Sequence, residues 1–151
     1  MEVLPAYQVN VTAKIEQIYG ELADEHRRIM TLVERLEHHD TVAHLVTLLE
    51  DLHELLINHF AQEQFPGGLY ETLGGHGSAY HDELRVLVNE HCVILSSLRG
   101  VLERTRITSE DDAPEILREV SAVAKHLREH EHKEHELAEK VLRDAKATPR
   151  P

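Results

Sequence analysis

The sequence has little of the residue types that mark disulfide-rich, disordered or membrane-spanning proteins. One cysteine, Cys92, among 151 residues excludes an internal disulfide. Seven glycines and five prolines, against 29% charged residues, favour long helices over a disordered chain. No apolar run approaches the ~20 residues that span a bilayer. The chain is therefore expected to form one domain with a single core.

The sequence also lacks a net positive charge and an export signal. Its net charge of −12 would repel nucleic acid and anionic membrane surfaces, so neither is an expected partner. The N-terminal residues have neither the basic start nor the apolar block of a signal peptide. Together with the single cysteine, this favours a cytoplasmic location.

Four segments carry apolar residues at alternating spacings of three and four, which is the pattern of amphipathic helices. They are residues 15–36, 45–63, 84–101 and 116–141. Polar residues replace apolar ones at some positions without breaking the period. These residues are His26, His59, Glu63, His91, His130 and Glu134.

Six ionisable side chains at core positions need a common partner, because removing a charge from water without one is costly. Along the chain they read H…HxxxE…H…HxxxE, and thirteen histidines in total are the compositional anomaly. The partner that satisfies all six most simply is a pair of metal ions.

The breaks between segments are consistent with four helices. Residues 65–68 (FPGG) end the second segment, Ser78 is expected to cap the third, and Pro114 lies near the start of the fourth. The first turn, within residues 39–42, is the least marked. An internal repeat, EHxxI at residues 25–29 and 90–94, suggests two similar helical hairpins.

The positions of these turns place the six residues at one depth of an up-down-up-down antiparallel bundle. In such a bundle, residues at equal depth lie equally far from the turn that joins their helices, and the turns expected on that basis fall close to the observed breaks. The sequence thus predicts an all-α four-helix bundle over residues 14–145, an N-terminal arm over 1–13 and a flexible tail over 146–151.

The HxxxE spacing suits metal ions because residues four apart project from the same face of a helix. Imidazole and carboxylate ligands together favour iron and, less specifically, manganese or zinc. Four histidines and two glutamates supply two histidines per ion, with both glutamates shared. Each ion keeps open positions, which implies reactivity with peroxide, dioxygen or nitric oxide.

Four motifs resemble those of the hemerythrin-like (HHE cation-binding) family, in its six-ligand H-HxxxE-H-HxxxE subgroup. They read EHRRI at 25–29, HFAQE at 59–63, EHCVI at 90–94 and HEHKE at 130–134. The resemblance covers residues 15–142 and implies a hemerythrin-like bundle with two iron ions per chain, joined by an oxo or hydroxo bridge.

The sequence departs from oxygen-carrying hemerythrins in two ways. Their third helix has an HxxxH pair, whereas Leu87 and Leu95 flank His91 here. Their last helix has a histidine-to-aspartate spacing one residue longer. One histidine fewer favours redox turnover over reversible oxygen carriage.

Several other residues allow two interpretations. His132 and Glu136 share the HxxxE spacing but are rotated about 160° from the apolar face, so they should face solvent. His126 is interpreted as a flanking residue, in preference to a residue that orients a ligand or replaces one. Tyr70 and Tyr80 either approach the metal pocket or cap the bundle.

The remaining candidates are assigned structural or solvent-exposed positions. Glu25 and Glu90 are interpreted as exposed acidic residues, in preference to residues that orient the ligands. Cys92 is expected to be packed, and His53 to lie at the boundary of the core. The histidines expected near helix ends, in solvent, are His38, His39, His76 and His81.

The first functional hypothesis is a catalase- or peroxidase-like di-iron oxidoreductase of oxidative stress. Peroxide is the first choice of ligand, ahead of dioxygen and nitric oxide, and an electron donor is a further expected partner. The alternative is a non-enzymatic module that binds or senses oxygen or iron, or delivers iron. A ferritin-like site is disfavoured because that class uses Glu-x-x-His pairs and more glutamates.

Overall fold

A computed structural model describes residues 6–38, 41–74 and 78–147, and nearly all of them are helical. The all-α prediction is therefore confirmed. The helices are α1 (Ala6–Glu37), α2 (Val42–Gln64), α3 (Leu69–Gly74), α4 (His81–Arg106) and α5 (Ala113–Ala147).

The four long helices pack as a closed ring in which α1 and α4 each contact both α2 and α5. The short helix α3 contacts α1, α2 and α4. The backbone N–H of Val42, at the start of α2, donates to Glu110 Oε1 at 2.9 Å. Because Glu110 lies in the 3₁₀ turn before α5, the α1–α2 and α4–α5 connections meet at the same end of the bundle.

Local sequence explains where α2 begins and ends. The hydroxyl of Thr41 accepts a hydrogen bond from the backbone N–H of His44 at 3.1 Å, which caps the helix. After α2, Gly67 has a φ of +83°, a conformation that glycine adopts without strain. A Cβ atom at Gly68 would collide with the carbonyl oxygen of Gln62. The turn at residues 65–68 therefore requires both of its glycines.

Three predicted boundaries need correction. Helix α1 already begins at Ala6, so most of the expected arm belongs to the helix. Ser78 does not cap α4, because a 3₁₀ turn over Ser78–Tyr80 intervenes and Tyr80 holds the cap position. Helix α5 continues to Ala147, and the rest of the expected tail, residues 148–151, lies outside the described residues.

The hydrophobic core consists of two clusters. The larger includes Ile29, Leu52, Phe60, Ile94 and Leu127, and the smaller includes residues from α1, α3, α4 and α5. The members of the smaller cluster are Ile15, Leu22, Leu69, Tyr70, Leu73, Tyr80, Leu84, Leu87, Leu137, Ala138 and Val141. Along α1, α4 and α5, the switch between clusters occurs at His26, His91 and the His130–Glu134 pair.

Helix α2 buries a wider face than its spacing predicted. The alternating spacing within residues 45–63 places Leu55 on the apolar face, but Leu55 is only half-buried and Leu56 is fully buried instead. Leu49 and Phe60 also join the core. The reason is that α2 packs against both α1 and α4. Within the described ranges, none of the helices combines the length and apolar character needed to cross a bilayer.

Candidate metal centre

The layer between the two hydrophobic clusters holds all six of the polar residues singled out in the sequence. Each long helix contributes, because the residues replace apolar positions on its inward face. Five of the six are buried, and the His26 side chain is 17% exposed. The residues are His26 from α1, His59 and Glu63 from α2, His91 from α4, and His130 and Glu134 from α5.

These side chains form two groups that share both glutamates. In each group, one potential ligand atom per residue lies within 4.8 Å of the others. The first group pairs His26 and His59 with Glu63 and Glu134, and the second pairs His91 and His130 with the same glutamates. The geometry therefore offers two adjacent positions, each with two imidazoles and two shared carboxylates.

Glu63 is at the centre of this arrangement. Its Oε1 lies 3.2 Å from His91 Nε2, while its Oε2 lies 3.3 Å from His59 Nε2 and 3.9 Å from His26 Nε2. Its two carboxylate oxygens thus face different groups. Glu134 does the same, with Oε1 3.4 Å from His26 Nε2 and Oε2 3.7 Å from His130 Nε2.

Several of these atoms are buried without a hydrogen-bond partner. They include both carboxylate oxygens of Glu63, Oε1 of Glu134, and Nε2 of His26, His59 and His130. Each such atom lowers the stability of the folded protein by about 1–3 kcal/mol, and by more where it is charged. Six orphaned atoms that point into one layer fit a cation site, because imidazole nitrogens and carboxylate oxygens are metal ligands.

Three of the histidines are held through Nδ1, which leaves Nε2 toward the layer. The Nδ1 atom of His59 lies 3.1 Å from Glu25 Oε1, and that of His130 lies 3.0 Å from Glu90 Oε1. The same contact on His91 is made by Gln64 Oε1 at 2.6 Å. Such partners fix the tautomer and ring orientation of metal-ligating histidines.

Glu25 and Glu90 therefore orient His59 and His130, and their interpretation as merely exposed residues was wrong. Each acts on a histidine of a neighbouring helix rather than on the histidine next to it in sequence. Lys133 Nζ donates to Glu90 Oε2 at 2.6 Å. Although burial opposes it, hydrogen bonds from Lys133 and His130 lower the pKa of Glu90.

Tyr70, on α3, is part of the centre. Its hydroxyl donates to Glu134 Oε2 at 2.7 Å and lies 2.8 Å from His91 Nε2. Burial and the charges of Glu134 and Glu63 raise the pKa of Tyr70 above its ordinary value, so the hydroxyl stays protonated. Of the two interpretations of Tyr70, the structure supports the one in which it approaches the pocket.

The electrostatics of the layer favour positive charge on its His26 side and neutral imidazole opposite. Burial alone lowers the pKa of His26, but the nearby carboxylates of Glu134 and Glu63 outweigh it and raise the pKa to about 9. Burial and the nearby His130 lower the pKa of His91 to about 3. Burial and the charge of Glu134 raise the pKa of Glu63.

Glu131 is a further carboxylate of the centre that the sequence did not reveal. Its Oε2 lies 3.1 Å from His26 Nε2, and its side chain is 14% exposed. At 100° per residue it is rotated about 60° from Glu134, away from the apolar positions used to find the other six. The sequence feature that could have indicated Glu131 is its position one residue after His130.

The competing HxxxE pair faces solvent, as predicted. His132 Nε2 and Glu136 Oε1 lie 3.0 Å apart on side chains that are 70% and 64% exposed. His126 lies outside both groups, with Nε2 3.9 Å from Glu90 Oε2, and is a flanking residue. His53 is half-buried, in line with a boundary position.

Other residues are excluded from the centre or fall outside the description. Tyr80 donates to Asp144 Oδ2 at 2.8 Å and so caps the bundle. Cys92 is exposed, which corrects its expected packing, because the residue after His91 turns away from the core. His38 and His81 are exposed as predicted, while His39 and His76 lie outside the described residues.

Comparisons with protein-family models, with curated proteins and with solved structures found no match to this chain. Its function must therefore be argued from the chemistry of the layer itself.

Proposed function

We propose that this protein is a hemerythrin-like di-iron protein that disproportionates hydrogen peroxide. The observation that carries the proposal is the pair of adjacent four-residue groups that share Glu63 and Glu134. Two imidazoles and two shared carboxylates per position match the ligand preference of iron more closely than that of a closed zinc site. The bound pair of iron ions would supply Lewis acidity and two-electron redox chemistry.

The charge of the layer supports two divalent ions. Four carboxylates surround it that have no lysine or arginine partner among the described residues, namely Glu25, Glu63, Glu131 and Glu134. Glu90 is already paired with Lys133. Two divalent cations carry four positive charges, which would balance the four carboxylates and remove the cost of burying them.

The space around the layer favours a ligand of a few atoms. Phe60 stacks on His91 with ring centroids 3.8 Å apart, and Tyr70 covers the same histidine at 5.4 Å. Three surface cavities formed by the described residues, of about 450, 910 and 350 Å³, are lined by none of the six residues. Peroxide, dioxygen and nitric oxide are small enough for such a site, whereas a drug-sized substrate would need a cavity of ~300 Å³ or more.

The chain's own residues would bind and orient the ligand and hold its protons. Tyr70 holds a proton on its hydroxyl oxygen, 2.7 Å from Glu134 Oε2. Glu25, Gln64 and Glu90 keep three imidazoles in one orientation. The apolar clusters on both sides of the layer exclude bulk water.

Disproportionation is preferred because it needs no second substrate. Two molecules of hydrogen peroxide give two of water and one of dioxygen, so one peroxide is oxidised and the other reduced. A peroxidase reaction would need an electron donor in addition.

An oxygen electrode tests the proposal on the 151-residue chain loaded with Fe²⁺. Added hydrogen peroxide should release half an equivalent of dioxygen, and His130→Ala should abolish the release while His132→Ala leaves it intact. An iron-loaded protein that releases no dioxygen would overturn the catalytic part of the proposal. If such a protein changed its optical spectrum reversibly with dioxygen, it would be a carrier.

A further inference from the structure

The two halves of the centre differ in their access to solvent. His91 and His130 are buried, and Tyr70 and Phe60 cover the His91 ring. His26, on the other side, is 17% exposed, and Glu131 beside it is 14% exposed. These two side chains lie on α1 and α5, so the centre meets solvent where those helices adjoin.

Glu131 has the geometry of an additional ligand on this exposed side. Its Oε2 lies 3.1 Å from His26 Nε2, and its Oε1 lies 3.9 Å from His59 Nε2. Oε1 is itself buried without a hydrogen-bond partner. Both oxygens therefore face the nitrogen atoms of the His26–His59 group, whereas no such contact joins Glu131 to His91 among the described residues.

The charges at this edge would attract cations. Glu131 adds a third carboxylate to Glu63 and Glu134 within reach of His26. Because it is also the carboxylate of the three that reaches solvent, an incoming ion would meet it first. A partly exposed group of one sign at the mouth of a low-dielectric site raises the local concentration of counter-ions.

We propose that divalent metal ions enter and leave the centre between α1 and α5, with Glu131 as the carboxylate that first binds them. The ion in the His26–His59 group then exchanges faster than the ion in the His91–His130 group. This inference rests on the proposed two-metal function and adds to it a route and an order of exchange.

Cobalt release from the 151-residue chain tests the inference. The metal-free protein is loaded with Co²⁺, passed through a desalting column and mixed with excess EDTA, and the Co²⁺ absorption is followed in time. The wild type should release its two ions in two phases of equal amplitude. Glu131→Gln should slow the fast phase about tenfold, which corresponds to a barrier to metal exchange that the carboxylate lowers by about 1.4 kcal/mol. The slow phase and the content of two Co²⁺ should stay unchanged.

Two further variants separate the carboxylate of Glu131 from its effect on folding. Glu131→Asp keeps a carboxylate and should retain most of the fast phase. Glu129→Gln removes the same charge from an exposed position of α5 and should behave as the wild type.

The outcomes distinguish this inference from the function on which it rests. Release of two Co²⁺ in one phase, or an unchanged fast phase in Glu131→Gln, would overturn the inference alone. A Glu131→Gln protein that holds a single Co²⁺ would also overturn it, because Glu131 would then be a permanent ligand. A folded wild-type protein that takes up no Co²⁺ would overturn the proposed function and the inference with it.

Discussion

The hydroxyl of Tyr70 donates a hydrogen bond to the buried carboxylate of Glu134, with 2.7 Å between the two oxygen atoms. This contact ties α3, a helix of six residues, to the polar layer in the middle of α5. It also means that the layer includes a proton donor in addition to six groups able to bind metal.

Tyr70→Phe should destabilise the metal-free protein, because Glu134 loses a buried donor while the ring still packs. A hydrogen bond to a charged group contributes about 1.5–3 kcal/mol to the free energy of unfolding. Urea denaturation of the metal-free protein measures the loss. Tyr80→Phe, which removes a part-buried bond to Asp144, is the matched control and should cost less. Equal costs would contradict the role given to Tyr70.

Glu63→Gln should change stability in opposite directions with and without metal. In the metal-free protein, burial and the charge of Glu134 raise the pKa of Glu63, so a neutral amide relieves the cost of a second buried charge. We expect the free energy of unfolding of the metal-free variant to rise by about 1–3 kcal/mol, which is the usual cost of an unsatisfied buried group. With metal bound the variant should be the less stable one, since a shared ligand is lost.

Thermal unfolding of the wild type and of Glu63→Gln, with and without Fe²⁺, checks these signs. A Glu63→Gln protein less stable than the wild type in both states would show that Glu63 stabilises the fold itself and is not held there for metal.

Glu25→Ala should weaken metal binding, although Glu25 belongs to neither four-residue group. Its carboxylate orients His59 through Nδ1, and loss of such a partner lowers metal affinity about 10- to 100-fold. Competition with a chromophoric chelator gives the affinity. Glu25→Gln keeps an acceptor oxygen and should have a smaller effect, and Glu34→Ala, on the exposed face of α1, should have none.

His130→Ala and His132→Ala form a matched pair, because the two residues are two positions apart on α5 and point to opposite sides of the helix. The first residue is fully buried in the second four-residue group, and the second is 70% exposed. We expect His130→Ala to lose at least one of two bound ions and His132→Ala to keep both. Metal analysis after gel filtration measures this, and equal losses would mean that the exposed pair is also a site.

The sequence was most informative where periodicity and chemistry coincide. His26, His59, His91 and His130 replace apolar residues at fixed spacings, so their inward positions followed from the helix period alone. The positions of the breaks between the helical segments then predicted that the four histidines lie at one depth of the bundle. The same reasoning correctly predicted that the side chain of His132 faces solvent.

The residues that the sequence did not assign depend on contacts between elements. Helix α3 is too short for periodicity to detect, so the position of Tyr70 could not be derived. Glu25 and Glu90 act on histidines 34 and 40 residues away, which requires knowing which helices are neighbours. Glu131 lies beside the apolar face, where a solvent-exposed residue is equally common.

The iron content of the 151-residue chain tests the central claim most directly. The protein is incubated with Fe²⁺ without oxygen, separated from free metal by gel filtration and measured by inductively coupled plasma mass spectrometry. Two four-residue groups predict two iron ions per chain in the wild type and a lower content in Glu134→Gln. A folded wild-type protein without iron, or a Glu134→Gln variant with the same content, would contradict the account.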